Sequence, residues 1–90
     1  MTIIKDIKYS RRLYQIMAYI AQDKKSAAVK FEQALNKQIE NLIHFPYKYR
    51  KSHYFEDEAY RDMVFKGYTV IYKVEPERII VLDIFKWQSR

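Results

Sequence analysis

Cations and aromatic rings recur together along the second half of this 90-residue chain. Arg61, Lys66, Lys73, Lys86 and Arg90 form a candidate phosphate-binding field. Trp87, beside Lys86, has the π-face to stack a nucleic-acid base, worth about 1–3 kcal/mol. A Trp is also costly in water unless it packs or binds, so Trp87 is read as an anchor for a partner. A second group, YKYRKSHY at residues 47–54, interleaves Arg50 and Lys51 with tyrosines. That mixture recurs on nucleic-acid surfaces, and a solvated loop satisfies it too. General acid–base chemistry rests on two histidines. His44 sits at the end of a helical stretch, where its protonated form complements the dipole, which is a structural role. His53, within sequence reach of Arg50 and Lys51, is the candidate acid or base. With no cysteine there is no thiol nucleophile, disulfide framework or cysteine-based metal site. No metal and no cofactor is expected.

The elements that must position these residues fit one domain, residues 1–90. Apolar residues make up 49% of the chain, enough for a single core, and nine tyrosines add amphipathic area at its margin. The net charge of +6, from 17 basic and 11 acidic residues, favours a polyanionic or acidic partner slightly over a merely soluble surface. The opening MTIIKDIKYS lacks the features of a signal peptide. No apolar run approaches membrane-spanning length. A cytoplasmic setting without a membrane partner is the expectation.

Residues 2–8, TIIKDIK, read as a short β-branched strand. Leu13, Ile16, Met17 and Ile20 recur at helical spacing, with Ser10 as the expected N-cap. After the polar AQDKK a second helix carries the stripe Ala28, Phe31, Leu35, Ile39 and Leu42, with Val29 and Ile43 beside it. Asp23 or Ser26 is its expected cap, and Pro46 ends it. A short polar link makes the two helices an antiparallel hairpin. Residues 47–58 read as an ordered loop. Three strand-like runs follow, AYRDMVFK, YTVIYKV and RIIVLDIFKW, divided by Gly67 and by the turn EPER. The last is apolar on both faces, as a central strand should be. The expected fold is α+β: an N-terminal strand, a helical hairpin, then a three-stranded antiparallel meander in one small twisted sheet (β-α-α-β-β-β). The first strand can pair in parallel with the last.

This order resembles the RelE/ParE superfamily of bacterial toxins over nearly the whole chain. The resemblance is carried by the hairpin, by LIHFPYKYRKS, and by YRDMVFKGYTVIYKVEPERIIVLDIF. Within these, the best matches are Pro46 after the helix, the Tyr60-Arg61 strand entry, and Gly67-Tyr68 with Tyr72. It implies the toxin of a type II toxin–antitoxin system, with a cognate antitoxin as partner. RelE-like members cut messenger RNA on the ribosome; ParE-like members block DNA gyrase by binding.

Metal-free RNA cleavage needs a base, a donor for the leaving oxygen, and cations for the phosphorane. The RelE branch typically places an Arg directly after the Gly-Tyr pair, and here Thr69 stands there. Met63 follows Arg61 and Asp62 where that branch often has a second cation. The stretch where some relatives use a histidine reads Phe85-Lys86-Trp87-Gln88. The nuclease set is incomplete; its candidates are Arg61, Lys86, Arg90 and His53. The ParE branch needs no such set and fits the long hairpin and the aliphatic YTVIYKV. Arg50, Lys51, Arg61, Lys66, Lys73, Lys86, Trp87 and Arg90 are the expected contacts for target or antitoxin. The alternatives are a ribosome-dependent endoribonuclease acting on mRNA and a basic nucleic-acid-binding domain without toxicity. Tyr60, Tyr68 and Tyr72 serve packing at least as readily as function.

Overall fold

The β-branched opening does form a strand, but a shorter one than its composition suggests. In the computed structural model, which describes residues 1–86, β1 is Thr2–Lys5. It lies parallel to the last strand, with Thr2 opposite Arg78 and Lys5 opposite Val81. Asp6 still donates its N–H to the Val81 carbonyl at 2.8 Å, so the chain turns into helix straight off the sheet. Helix α1 is therefore Ile7–Asp23, and Asp6 is its N-cap, with its carboxylate accepting from the Lys8 N–H at 3.4 Å. Ser10, the expected cap, lies inside the helix and donates its N–H to the Asp6 carbonyl.

A single extended residue, Lys24 (φ −157°, ψ 119°), separates α1 from α2, Lys25–Asn41. Neither Asp23 nor Ser26 caps α2, because one residue of link leaves the first still in α1 and the second already in α2. Ala28, Phe31, Leu35, Ile39 and Leu42 are buried as one stripe. They meet Leu13 and the half-buried Ile16, Met17 and Ile20. Val29 and Ile43, expected beside the stripe, face solvent.

Four strands follow the helices, one more than the meander called for. They are β2 (Arg50–Lys51), β3 (Tyr60–Phe65), β4 (Tyr68–Val74) and β5 (Arg78–Lys86). The sheet order is β1-β5-β4-β3-β2, so β5 is an interior strand, as its two apolar faces require. The extra strand, β2, spans only two residues and pairs antiparallel with β3. Lys66 (φ 48°) and Gly67 (φ 84°) form the tight turn between β3 and β4. Both central residues of such a two-residue hairpin need positive φ, which is why glycine holds the second. Glu75 and Arg78 close the next turn through a mutual pair of backbone hydrogen bonds. Opposite the Ile71–Tyr72 step, β5 carries an extra residue, Leu82, and the register slips there. Such a bulge bends and twists the strand locally.

Alternation sends Tyr68, Val70, Tyr72 and Val74 toward the helices, with Met63, Phe65, Ile79, Val81 and Ile84. Tyr9 joins them fully buried, and its hydroxyl has no hydrogen-bond partner among the described residues. Burial first, then the charge of Glu32, pushes its pKa up to about 12. An unfolded tyrosine titrates near pH 10. The stability held by the neutral phenol is therefore intact below about pH 10 and is lost as the pH rises toward about 12. Urea midpoints measured from about pH 8 to about pH 11 should fall above about pH 10. Tyr9→Phe should make that fall less steep, leaving the share due to Tyr72, and change stability at neutral pH by about 1 kcal/mol or less, since the Tyr9 hydroxyl has no hydrogen-bond partner among the described residues. An equally steep fall in the variant would contradict this reading.

Candidate functional site

The cations picked from the sequence gather at two ends of the sheet rather than in one field. At one end, Lys66 caps the β3–β4 turn and Lys86 ends β5 opposite Tyr68. Arg50, Lys51, Arg61 and Lys73 cluster at the other end, where Arg50 pairs in register with Asp62, Lys51 with Arg61, and Tyr60 with Lys73. Trp87 and Arg90 lie outside the described residues.

Several of these cations already have partners. Arg61 donates from Nε to the Glu58 carbonyl at 3.0 Å and from a terminal nitrogen to the Tyr49 carbonyl at 3.2 Å. Its guanidinium also lies 4.7 Å from the Tyr47 ring centre. Lys73 bridges to Glu75 at 3.4 Å and sits over Tyr60. The hydrogen bond to Glu75 raises the Lys73 pKa, and the bond from Arg78 lowers that of Glu75. Arg50 approaches the Asp62 carboxylate at 3.8 Å. Lys66 rests its ammonium over the Phe65 ring.

The sheet face turned away from the helices is covered over its centre, while Val64 and Ile4 at its margins stay exposed. Residues 52–59 cross it as a strap. Ser52 donates its N–H to the Tyr60 carbonyl at 2.8 Å, and Ala59 accepts from the Val74 N–H at 2.8 Å. Between these anchors Tyr54 packs edge-on against Phe85 at 5.3 Å, and Phe55 stacks on Tyr60 at 4.1 Å. Beneath lie Thr69, Ile71 and Asp62, all buried. Asp62 accepts the His53 N–H at 3.0 Å, while its other oxygen and the Thr69 hydroxyl have no partner among the described residues. His53, the candidate acid or base, is thus held by its backbone beside a buried carboxylate.

One surface escaped the sequence reading, and a second only overlaps the YKYRKSHY run singled out there. The first is a groove of about 310 Å³ between α1 and the end of β5, where Arg12, Gln15, Tyr19 and Tyr68 meet Lys86. The Asp83 carboxylate, beside the bulge, pairs with Lys8 at 3.5 Å and Arg12 at 3.7 Å. Arg12 and Tyr19 are seven residues apart, hence on one helix flank; that spacing was a usable signal. The second is the turn after α2, His44–Lys48. Tyr72 donates its hydroxyl to the Pro46 carbonyl at 2.7 Å and is fully buried. Burial raises the Tyr72 pKa, with the Arg61 charge opposing. Tyr49 reaches Gln38 at 3.4 Å. Phe45 and Tyr47 nevertheless stand 66% and 56% exposed, although the turn that bears them is tied down.

A helical hairpin laid on one side of a five-stranded sheet, with a parallel first strand and an antiparallel remainder, is the architecture of the RelE/ParE-type toxins. The sequence matches the ParE toxin of type II toxin–antitoxin systems, parDE, over residues 8–88, and the chain belongs to that family. Its fold is similar to a chain from the chromosomal ParDE toxin–antitoxin system of P. aeruginosa, at TM-score 0.82 and 18% identity, covering 98% of this chain and 97% of that one. No curated protein matches the sequence. Among the described residues, no helix is long and apolar enough to cross a membrane.

Proposed function

We propose that this chain, a toxin of the ParE family, stops growth by binding DNA gyrase in the cytoplasm, and that a cognate antitoxin silences it. The observation that carries the reading is the strapped sheet. The centre of the sheet face opposite the helices, where the resemblance places the phosphate chemistry of the RelE branch, is covered by residues 52–59, with Asp62 buried beneath. Arg61, one of the candidates for that chemistry, has two of its donors engaged by backbone carbonyls. A surface that acts by docking requires neither group to be free.

Two assays on one preparation test this. Purified chain added to gyrase, ATP and relaxed plasmid should reduce supercoiling in proportion to its concentration. Brief expression in growing cells should arrest division without new 5′ ends inside translated messages. Messages cut within codons, together with normal supercoiling, would overturn the proposal in favour of the nuclease branch.

A further inference from the structure

The turn that ends α2 is built like a binding anchor. Large rings facing water are usually mobile or half tucked away. Here Phe45 and Tyr47 project from a segment pinned at Pro46 by the Tyr72 hydroxyl, at the Tyr49 carbonyl by Arg61, and at the Tyr49 side chain by Gln38. The Arg61 guanidinium also backs the Tyr47 ring. Rings held in advance lose little freedom on binding, which is what makes an aromatic residue an effective hot spot. Phe45 borders two concavities, and Tyr47 borders one of them. One, of about 600 Å³, is bounded by His44, Phe45, Pro46, Tyr47 and Lys48. The other, of about 390 Å³, runs back along α2 past Gln38 and Asn41. From Asn41 to Phe55 the chain carries Lys48, Arg50 and Lys51 and no acidic residue.

We infer that the His44–Lys48 turn is a docking surface for the cognate antitoxin, and that it receives an acidic segment whose bulky apolar side chain packs between Phe45 and Tyr47. The occupant follows from charge and chemistry. A second copy docked turn to turn would set like charges against each other, since every charged residue from Asn41 to Phe55 is basic. A polyanion without apolar groups would leave both rings in water. An acidic protein segment with an apolar anchor satisfies rings and cations together. This rests on the chain having an antitoxin, as its family implies, and not on gyrase being the target.

The test uses the purified chain and the antitoxin encoded beside it, with affinity measured calorimetrically at two salt concentrations. Phe45→Ala should weaken binding by about thirtyfold, as loss of a central aromatic anchor does. Lys48→Glu should weaken it by roughly tenfold at low salt, and by less at high salt as the repulsion is screened. Lys25→Glu, the same reversal at the far end of α2, should leave affinity within about twofold. All three variants should melt within a few degrees of the parent, because Phe45 and Lys48 are exposed. Expressed without antitoxin, Phe45→Ala should still arrest growth. Unchanged antitoxin affinity in Phe45→Ala and Lys48→Glu would overturn the inference. So would full affinity with lost toxicity, which would make the turn a target contact, or a concentration-dependent dimer abolished by Phe45→Ala. Failure of the supercoiling assay alone would bear on the target and leave this surface untouched.

Discussion

Phe31→Ala should cost this protein about 3–5 kcal/mol, the usual loss for a large aromatic cut from a core. Phe31 is where the second helix meets the sheet. Its ring lies edge-on to Phe65 and to Tyr68, with centroids 5.4 Å away in both cases. Those two residues flank the tight turn at Lys66-Gly67, so a single side chain ties the hairpin of helices to the β3–β4 hairpin. Truncation removes two aromatic pairs and leaves a void that a close-packed interior fills only in part. In a chain of this length about 1 kcal/mol moves the melting temperature by about 4–8 °C. The variant should therefore melt at least about 12 °C below the parent, and its yield of soluble chain should fall with it. Growth arrest should weaken although no docking residue has changed. Phe31→Leu should recover much of the loss, since it keeps most of the volume. A melting point within about 3 °C of the parent would mean that the hairpin does not rest on the sheet at this position.

Arg61→Ala should be the most damaging change among the exposed or half-exposed cations, by about 2–3 kcal/mol. The guanidinium holds two separate loop carbonyls, Tyr49 and Glu58, and backs the Tyr47 ring. Hydrogen bonds to a charged donor are worth about 1.5–3 kcal/mol each when intact, discounted here because the side chain is only half-buried. Arg61→Lys should restore less than half of the loss, since an ammonium cannot reproduce the planar fork that reaches both carbonyls. This separates two roles that the sequence left open. A phosphate ligand waiting for substrate would leave the melting temperature unchanged when removed and would abolish activity alone. A clamp loses thermal stability first, and because it anchors the turn bearing Phe45 and Tyr47, antitoxin affinity should fall with it. A parent-like melting curve for Arg61→Ala would assign the residue to ligand binding after all.

The register of β5 shows how a small irregularity serves position rather than weakness. Leu82 is the extra residue, and Asp83 beyond it stands where Lys8 and Arg12 of α1 can reach its carboxylate. Both cations are well exposed, so these pairs orient the helix start more than they stabilise it.

What the chain spells out alone is its order of elements and its main core. The stripe from Ala28 to Leu42 has a 3.6-residue period, and Tyr68–Val74 alternates with a period of two, and each period names the buried face without outside help. Pro46, Gly67 and Glu75-Pro76-Glu77-Arg78 punctuate these runs by restricting or freeing the backbone locally. The resemblance to the toxin superfamily rested on that order and held. The strap, the two-residue strand β2 and the work of Arg61 were decided only in three dimensions. Residues 52–59 have no apolar period, because their partners lie on other strands: Asp62, Tyr60 and Phe85. Arg61 looks like a free cation in a list of residues, since its acceptors are backbone carbonyls that every residue carries. Sequence patterns report which face of an element is dry; they do not report which distant loop comes to cover the other face. That depends on long-range pairing, and here it brings residues 52–59 over the centre of the face away from the helices.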